Sequence, residues 1–237
     1  MAPVAVSIIC KTPEAGKSKT RLSPPLHPDE CAEISSCFIR DLSHTIQSIS
    51  DGENIIGAAV YTPLGSEPRL RSLLPREFLL VPQGEGDLGD RLLKGTTDLL
   101  AAGFAGAILV NSDSPTLPSE ILLAAAHAVR EGDNVVLSPA FDGGYTLIGL
   151  TRPHAELFAG IPWSTPEVYE LTLQRAADIG LPVRNVPGWY DVDDEVSFRL
   201  LEDEFKGRCP SFGRSDLVGA AAPATRAFVS QRVSSFV

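Results

Sequence analysis

The stretch VAVSIICKTPEAGKSKTRL, Val4 to Leu22, decides how the rest of the chain is read. Its first seven residues, VAVSIIC, are a near-continuous apolar run, the pattern of a strand covered on both faces. The next twelve, KTPEAGKSKTRL, hold three Lys, one Arg and one Gly in a protein whose formal charge is −10. A local basic pocket for a small anionic ligand is compatible with an acidic chain. The alternative for such a loop is a solvated charge run.

Outward from this strand, apolar segments alternate with helical spacing. Strands are expected at 4–10, 54–61, 78–81, 107–110, 134–137, 145–150 and 182–186. Helices are expected at 27–50, 67–74, 88–102, 118–130 and 195–205, with another capped by Ser164 or Thr165 and reaching about 179. This alternation predicts an α/β fold with a doubly wound, mostly parallel sheet, whose ligands sit beyond the carboxyl ends of the strands. The 237 residues suit one large domain over 1–207. Residues 208–237, rich in Ser, Ala, Arg and Gly, read as a C-terminal appendage that need not be ordered.

Composition excludes several classes. Apolar content of 43% with 21% charged residues is that of a globular protein. The longest apolar run, about 99–110, is too short to span a bilayer, and no leader pattern precedes the first strand, so a cytoplasmic location is expected. The four Cys have no C-x-x-C spacing and read as free thiols. The negative net charge argues against a nucleic-acid surface.

Gly16-Lys17-Ser18 imitates a P-loop, but Lys11 stands where that motif needs its first Gly. Pro24 and Pro25 follow too soon for a phosphate-binding helix to start at Gly16. The better reading is an open loop in which Lys11, Lys19 and Arg21 converge on a di- or triphosphate and Gly16 lets the backbone approach. In NSDSPTLP, Asp113 lies just past a buried strand and is a candidate Mg²⁺ ligand beside phosphates; the alternative is a cap for the following helix. Asp142-Gly143-Gly144 joins two strands, either as a plain turn or as a place where a base or sugar meets the main chain. In DVDDE, Asp191 and Asp193 alternate toward one side, while Asp194 and Glu195 suit a helix start. QGEGDLGDRL, with three Gly around Asp87 and Arg91, follows the third strand and so fails the dinucleotide fingerprint.

Taken in order, KTPEAGKSKTRL, QGEGDLGDRL, NSDSPTLP, PAFDGGYTLIGL, IPWST and DVDDE resemble the bacterial DUF2064 family of GT-A-fold proteins, over about Val4 to Phe205. Members are usually described as glycosyltransferases or nucleotide-diphospho-sugar transferases. The loop and S-D-x-P turn are also distantly similar to phospholactate and phosphoenolpyruvate guanylyltransferases and to molybdenum-cofactor nucleotidyltransferases. Those relatives usually read G-D-x-P, where this chain has Ser112-Asp113-Ser114-Pro115, and D-V-D-T, where Asp194 replaces the Thr.

The resemblance implies a three-layer α/β/α GT-A domain. Lys11, Gly16, Lys19, Arg21, Gly143 and Gly144 would contact the nucleotide. Asp113, Asp191 and Asp193 would hold Mg²⁺ or Mn²⁺. Lys19 and Arg21 would neutralise a leaving group, and Asp142 would face the acceptor as a base. The implied ligands are an NTP or NDP-sugar and a small-molecule acceptor, with monomer or homodimer left open. The chemistry is glycosyl transfer or, alternatively, nucleotidyl transfer to a phosphorylated acceptor with release of pyrophosphate. A nucleotide-binding regulator without turnover is the reading of a different class.

Overall fold

The computed structural model of the chain describes residues 2–50, 52–208 and 216–234. Seven strands form one sheet: β1 (Val4–Lys11), β2 (Ile55–Thr62), β3 (Leu79–Pro82), β4 (Gly106–Asn111), β5 (Val135–Pro139), β6 (Tyr145–Leu150) and β7 (Val183–Asn185). Their order is β3-β2-β1-β4-β6-β5-β7, and β6 alone runs antiparallel to its neighbours. The helices are α1 (Pro28–Ser50), α2 (Glu67–Arg71), α3 (Leu88–Ala101), α4 (Ser119–Val129), α5 (Val168–Asp178), α6 (Glu195–Phe205) and α7 (Pro223–Ser234).

Strand β1 shows why its apolar run is unbroken. Val4, Val6, Ile8 and Cys10 enter a core shared with α1, α4, α6 and α7. Ala5 and Ile9 point to the other face, where α3 and α5 pack. A strand covered on both sides has no place for alternating polar residues. The result is the expected three-layer α/β/α sandwich. No helix among the described residues is long and apolar enough to cross a membrane.

The topology gathers the sequence motifs at one edge. Parallel β1, β2, β3 and β4 all end there, at Lys11, Thr62, Pro82 and Asn111. Because β6 is antiparallel, the turn from Pro139 to Tyr145 returns to the same edge and carries Asp142 with it. The chain after β7 then runs along β5 and β4: Trp189 N–H donates to Pro139 O at 3.1 Å and Val192 N–H to Asp113 O at 2.8 Å. These two bonds lay the DVDD segment beside the turn that follows β4.

Two expectations need correction. Neither Ser164 nor Thr165 caps α5, which starts at Val168 after Glu167; Ser164 sits in the left-handed region and Thr165 Oγ1 donates to Pro162 O at 2.8 Å. The C-terminal segment is, in its described part, no loose appendage. Helix α7 lies on α1, burying Phe228 and Val229, and Asp41 on α1 accepts from Ala224 N–H at 3.0 Å and Thr225 N–H at 2.7 Å. A helix N-terminus leaves such N–H groups without intrahelical partners, and the buried carboxylate satisfies two of them. Residues 209–215 and 235–237 of that segment lie outside the described residues. Replacing Asp41 by Ala should therefore cost about 1–3 kcal/mol of stability, read as a lower urea midpoint at unchanged slope.

Candidate active site

A cavity of about 380 Å³ opens at the carboxyl edge of the sheet, between the loop after β1, the start of α3, the turn after β4 and the DVDD segment. Lys11, Arg21, Asp113, Asp142, Gly144, Asp191 and Asp193 all line it, and an adjoining cleft holds Lys19 with Arg21 and Asp113. Arg21 and Asp113 thus share one space, as the sequence reading requires. Gly16 and Gly143 do not line it.

The loop after β1 forms no α-helix. Gly16 adopts a left-handed φ of 71°, and a short 3₁₀ turn, Thr20–Leu22, follows. Lys17 is paired with Glu14 at 2.8 Å at the edge of the adjoining cleft. Arg21 is exposed and has no hydrogen-bond or ion-pair partner among the described residues, so its guanidinium is available to an incoming anion. Lys19 behaves differently. Its side chain is only 7% exposed, and its ammonium lies 2.8 Å from Asp113 Oδ1, 2.6 Å from Asp193 Oδ1 and 2.8 Å from Val192 O. It is not a free phosphate-binding cation in this arrangement. The two carboxylates outweigh the effect of burial and hold its pKa above the ordinary lysine value.

The carboxylates divide into two groups. Oxygens of Asp142, Asp191 and Asp193 lie within 4.8 Å of one another. Asp113 is not one of these three; it shares the Lys19 ammonium with Asp193 and accepts from Ser112 Oγ at 3.0 Å. Burial, then the charges of Asp142, Asp193 and Asp113, push the Asp191 carboxyl up to about 7. Burial likewise raises Asp113, against the pull of Lys19. Asp113 does not cap α4, whose N-cap position is Pro118 with no side-chain bond. Asp194 does cap α6, in a reciprocal pair with Ser197, and Glu195 lies in the first turn. The Asp at the position of the related Thr thus serves as a helix cap.

Several lining residues were not singled out from the sequence. Gln83 is buried and its Nε2 donates to Cys10 O at 2.8 Å and Val60 O at 3.0 Å, tying β1 and β2 together beside the cavity. Asn111 Nδ2 donates to Tyr145 O at 2.8 Å across β4 and β6. Arg91 adds a third cation from α3, its Nε bonded to Gly86 O at 3.1 Å. Trp163 supplies an aromatic wall, and the segment that carries it explains the glycines of two motifs. A Cβ at Gly89 would lie 2.9 Å from the indole and 3.1 Å from Phe158 O. At Gly143, with φ 88°, a Cβ would come within 2.1 Å of Pro166 O. GDLGD packs on Trp163 and Phe158 and FDGG on Pro166, so the two motifs hold the 158–166 segment from either side, and Gln83 and Arg91 were the signal within QGEGDLGDRL.

The sequence from 45 to 165 matches the DUF2064 family, described as an uncharacterized protein conserved in bacteria, and the chain belongs to that family. A crystal structure from Desulfovibrio desulfuricans G20, provisionally described as a nucleotide-diphospho-sugar transferase, superposes with a TM-score of 0.82 at 26% identity, covering 99% of this chain and 96% of that one. CMP:2-keto-3-deoxy-manno-octonic acid synthetase, complexed with CTP, shares the fold at a TM-score of 0.56 and 10% identity over 87% of this chain and 99% of its own. A cytidylyltransferase of Leptospira borgpetersenii does so at 0.54 and 11% identity, over 99% and 96%. No curated protein matches the sequence. The fold is accordingly that of nucleotide-sugar transferases and nucleotidyltransferases.

Gly89→Val should displace Trp163 and cost about 1–3 kcal/mol through overpacking. The expected readout is a red-shifted tryptophan emission together with a lower melting temperature, Trp189 being the other indole of the chain.

Proposed function

We propose that this chain is a metal-dependent transferase of the nucleotide-diphospho-sugar transferase type, with an NTP or NDP-sugar as donor. One observation carries the reading: a single cavity holds the free guanidinium of Arg21, with Lys11 and Arg91, alongside the clustered carboxylates of Asp142, Asp191 and Asp193. Cations alone would suit any anion. Cations facing crowded carboxylates suit a polyphosphate held together with a divalent ion.

The residues fit such an ion. Carboxylate oxygens are hard donors suited to Mg²⁺ or Mn²⁺, and the Asp191 carboxyl, raised first by burial and then by its carboxylate neighbours, is one that a divalent cation would help to ionise. Asp142, Asp191 and Asp193 would hold it. Bound there, the ion would neutralise charge on the phosphate oxygens of the donor. Arg21 and Arg91 would offer planar guanidinium forks to those oxygens, and Lys11 a point charge from the rim. Trp163 and Tyr145 screen the acceptor side from water. Asp142 Oδ1 accepts from Gly144 N–H at 2.8 Å, which fixes the carboxylate; its other oxygen is left to the ion or to an acceptor hydroxyl. A cytoplasmic location suits a donor of this kind.

Incubation with NTPs or NDP-sugars, with and without Mg²⁺ or Mn²⁺, separates the readings. Free NDP released from an NDP-sugar supports glycosyl transfer. Pyrophosphate released from an NTP with a phosphorylated acceptor supports nucleotidyl transfer, which the three rim cations would favour. Metal-independent binding without turnover would replace both with a regulator. Arg21→Ala should weaken donor binding about tenfold to a hundredfold, the size of a charge-assisted contact of about 1.5–3 kcal/mol. An unchanged dissociation constant by calorimetry would remove the loop from the site.

A further inference from the structure

The segment PGWYDVDD, between β7 and α6, has no helix or strand of its own to stiffen it, yet it must hold Asp191 and Asp193 among like charges. Two main-chain bonds fasten it, from Trp189 N–H to Pro139 O and from Val192 N–H to Asp113 O. Its two aromatic side chains do the rest. Trp189 and Tyr190, 4% and 2% exposed, enter the core shared with α1 and line no part of the cavity. Both end on one residue. Trp189 Nε1 donates to Thr116 Oγ1 at 3.2 Å, and Thr116 Oγ1 donates to the Tyr190 hydroxyl at 3.3 Å. Thr116 follows Asp113 by three positions, so this junction joins the two segments that carry the site's carboxylates. The Tyr190 hydroxyl donates onward to Glu204 Oε2 on α6. Burial, then the Glu204 charge, hold that hydroxyl above its ordinary pKa, so it stays a donor.

The C-terminal segment closes the junction from behind. Ala220 N–H donates to Thr116 O at 2.9 Å. Gly219 lies against Glu204: a Cβ there would collide with Oε1 and come within 3.2 Å of the Trp189 indole. Two residues on, buried Ala222 takes a left-handed φ of 43°, and α7 begins with its N–H groups on Asp41. Strain at a buried alanine persists only where the surroundings over-determine it. Here the chain is fixed on one side by Thr116 and on the other by α1.

We propose that the C-terminal segment is a remote brace of the active site: with Glu204 and Thr116 it fixes Tyr190, and so sets Asp191 and Asp193 against the turn that carries Asp113. Thr116, Tyr190 and Glu204 are positioning residues, since none of them lines the cavity. That the braced carboxylates hold a divalent ion rests on the reading above; that they are braced does not.

The test uses the full chain and two readouts: Mn²⁺ affinity by electron paramagnetic resonance, and hydrogen exchange at the Val192 amide without metal. Tyr190→Phe removes the donor to Glu204. Gly219→Ala removes no group and displaces Glu204 from outside the site. Each should speed exchange about fivefold, the worth of one lost hydrogen bond. Each should also weaken Mn²⁺ binding about tenfold, as loss of a group that orients a ligand does. Glu204→Gln, whose amide oxygen still accepts from Tyr190, should match the wild type in both. Wild-type exchange in Tyr190→Phe and Gly219→Ala would overturn the brace. So would faster exchange at unchanged Mn²⁺ affinity, the mark of a contact that serves only the fold. A wild type that binds no Mn²⁺ would sink the metal-dependent reading instead, and the exchange comparison would then decide the brace. Should Tyr190→Phe not fold, Gly219→Ala set against Glu204→Gln decides by itself.

Discussion

Three distant parts of the chain meet at the nitrogen of one lysine. Lys19 comes from the loop after the first strand, Asp113 from the turn after the fourth, and Asp193 from a segment 174 positions beyond Lys19. Each depends on the others. Without the ammonium, two partly exposed carboxylates would face one another and repel. Without the carboxylates, the lysine would bury an unpaired charge. The contact therefore does more than stabilise: it specifies how the cationic loop and the acidic segment are placed, and so sets the shape of the cavity between them.

Most of the framework was legible because the sheet is covered on both faces. Continuous apolar runs such as VAVSIIC and AILV can only be interior strands in a chain that alternates so regularly. What escaped the sequence was chemistry decided by tertiary neighbours. Helix α7 has little apolar periodicity of its own and becomes a stable element through Asp41, a residue far away in sequence. The start of α5 was misplaced because Ser164 and Thr165 have the side chains of caps, while the backbone at Ser164 is committed to a left-handed turn.

The site was legible as a set of residues and not as a set of roles. Arg21, Lys11 and the aspartates do line one cavity. Spacing could not say that Lys19 turns inward and Arg21 outward, since both sit two positions apart in a loop without period. Nor could it say that Asp142 joins Asp191 and Asp193, because that depends on β6 running against the sheet. Glycines were similarly ambiguous. Gly89 makes no turn at all; it is small so that an indole can lie against the first turn of α3.

The seating of α7 ties early and late chain together in time as well as space. Arg232 donates to Pro25 O at 2.5 Å and pairs with Glu30 at 3.5 Å, bracing the far end of the cationic loop from 207 positions downstream. At ribosomal speeds that separation is about ten to forty seconds of synthesis. Throughout that interval the nascent loop lacks its last brace, and its final shape is a late event in the biogenesis of the molecule.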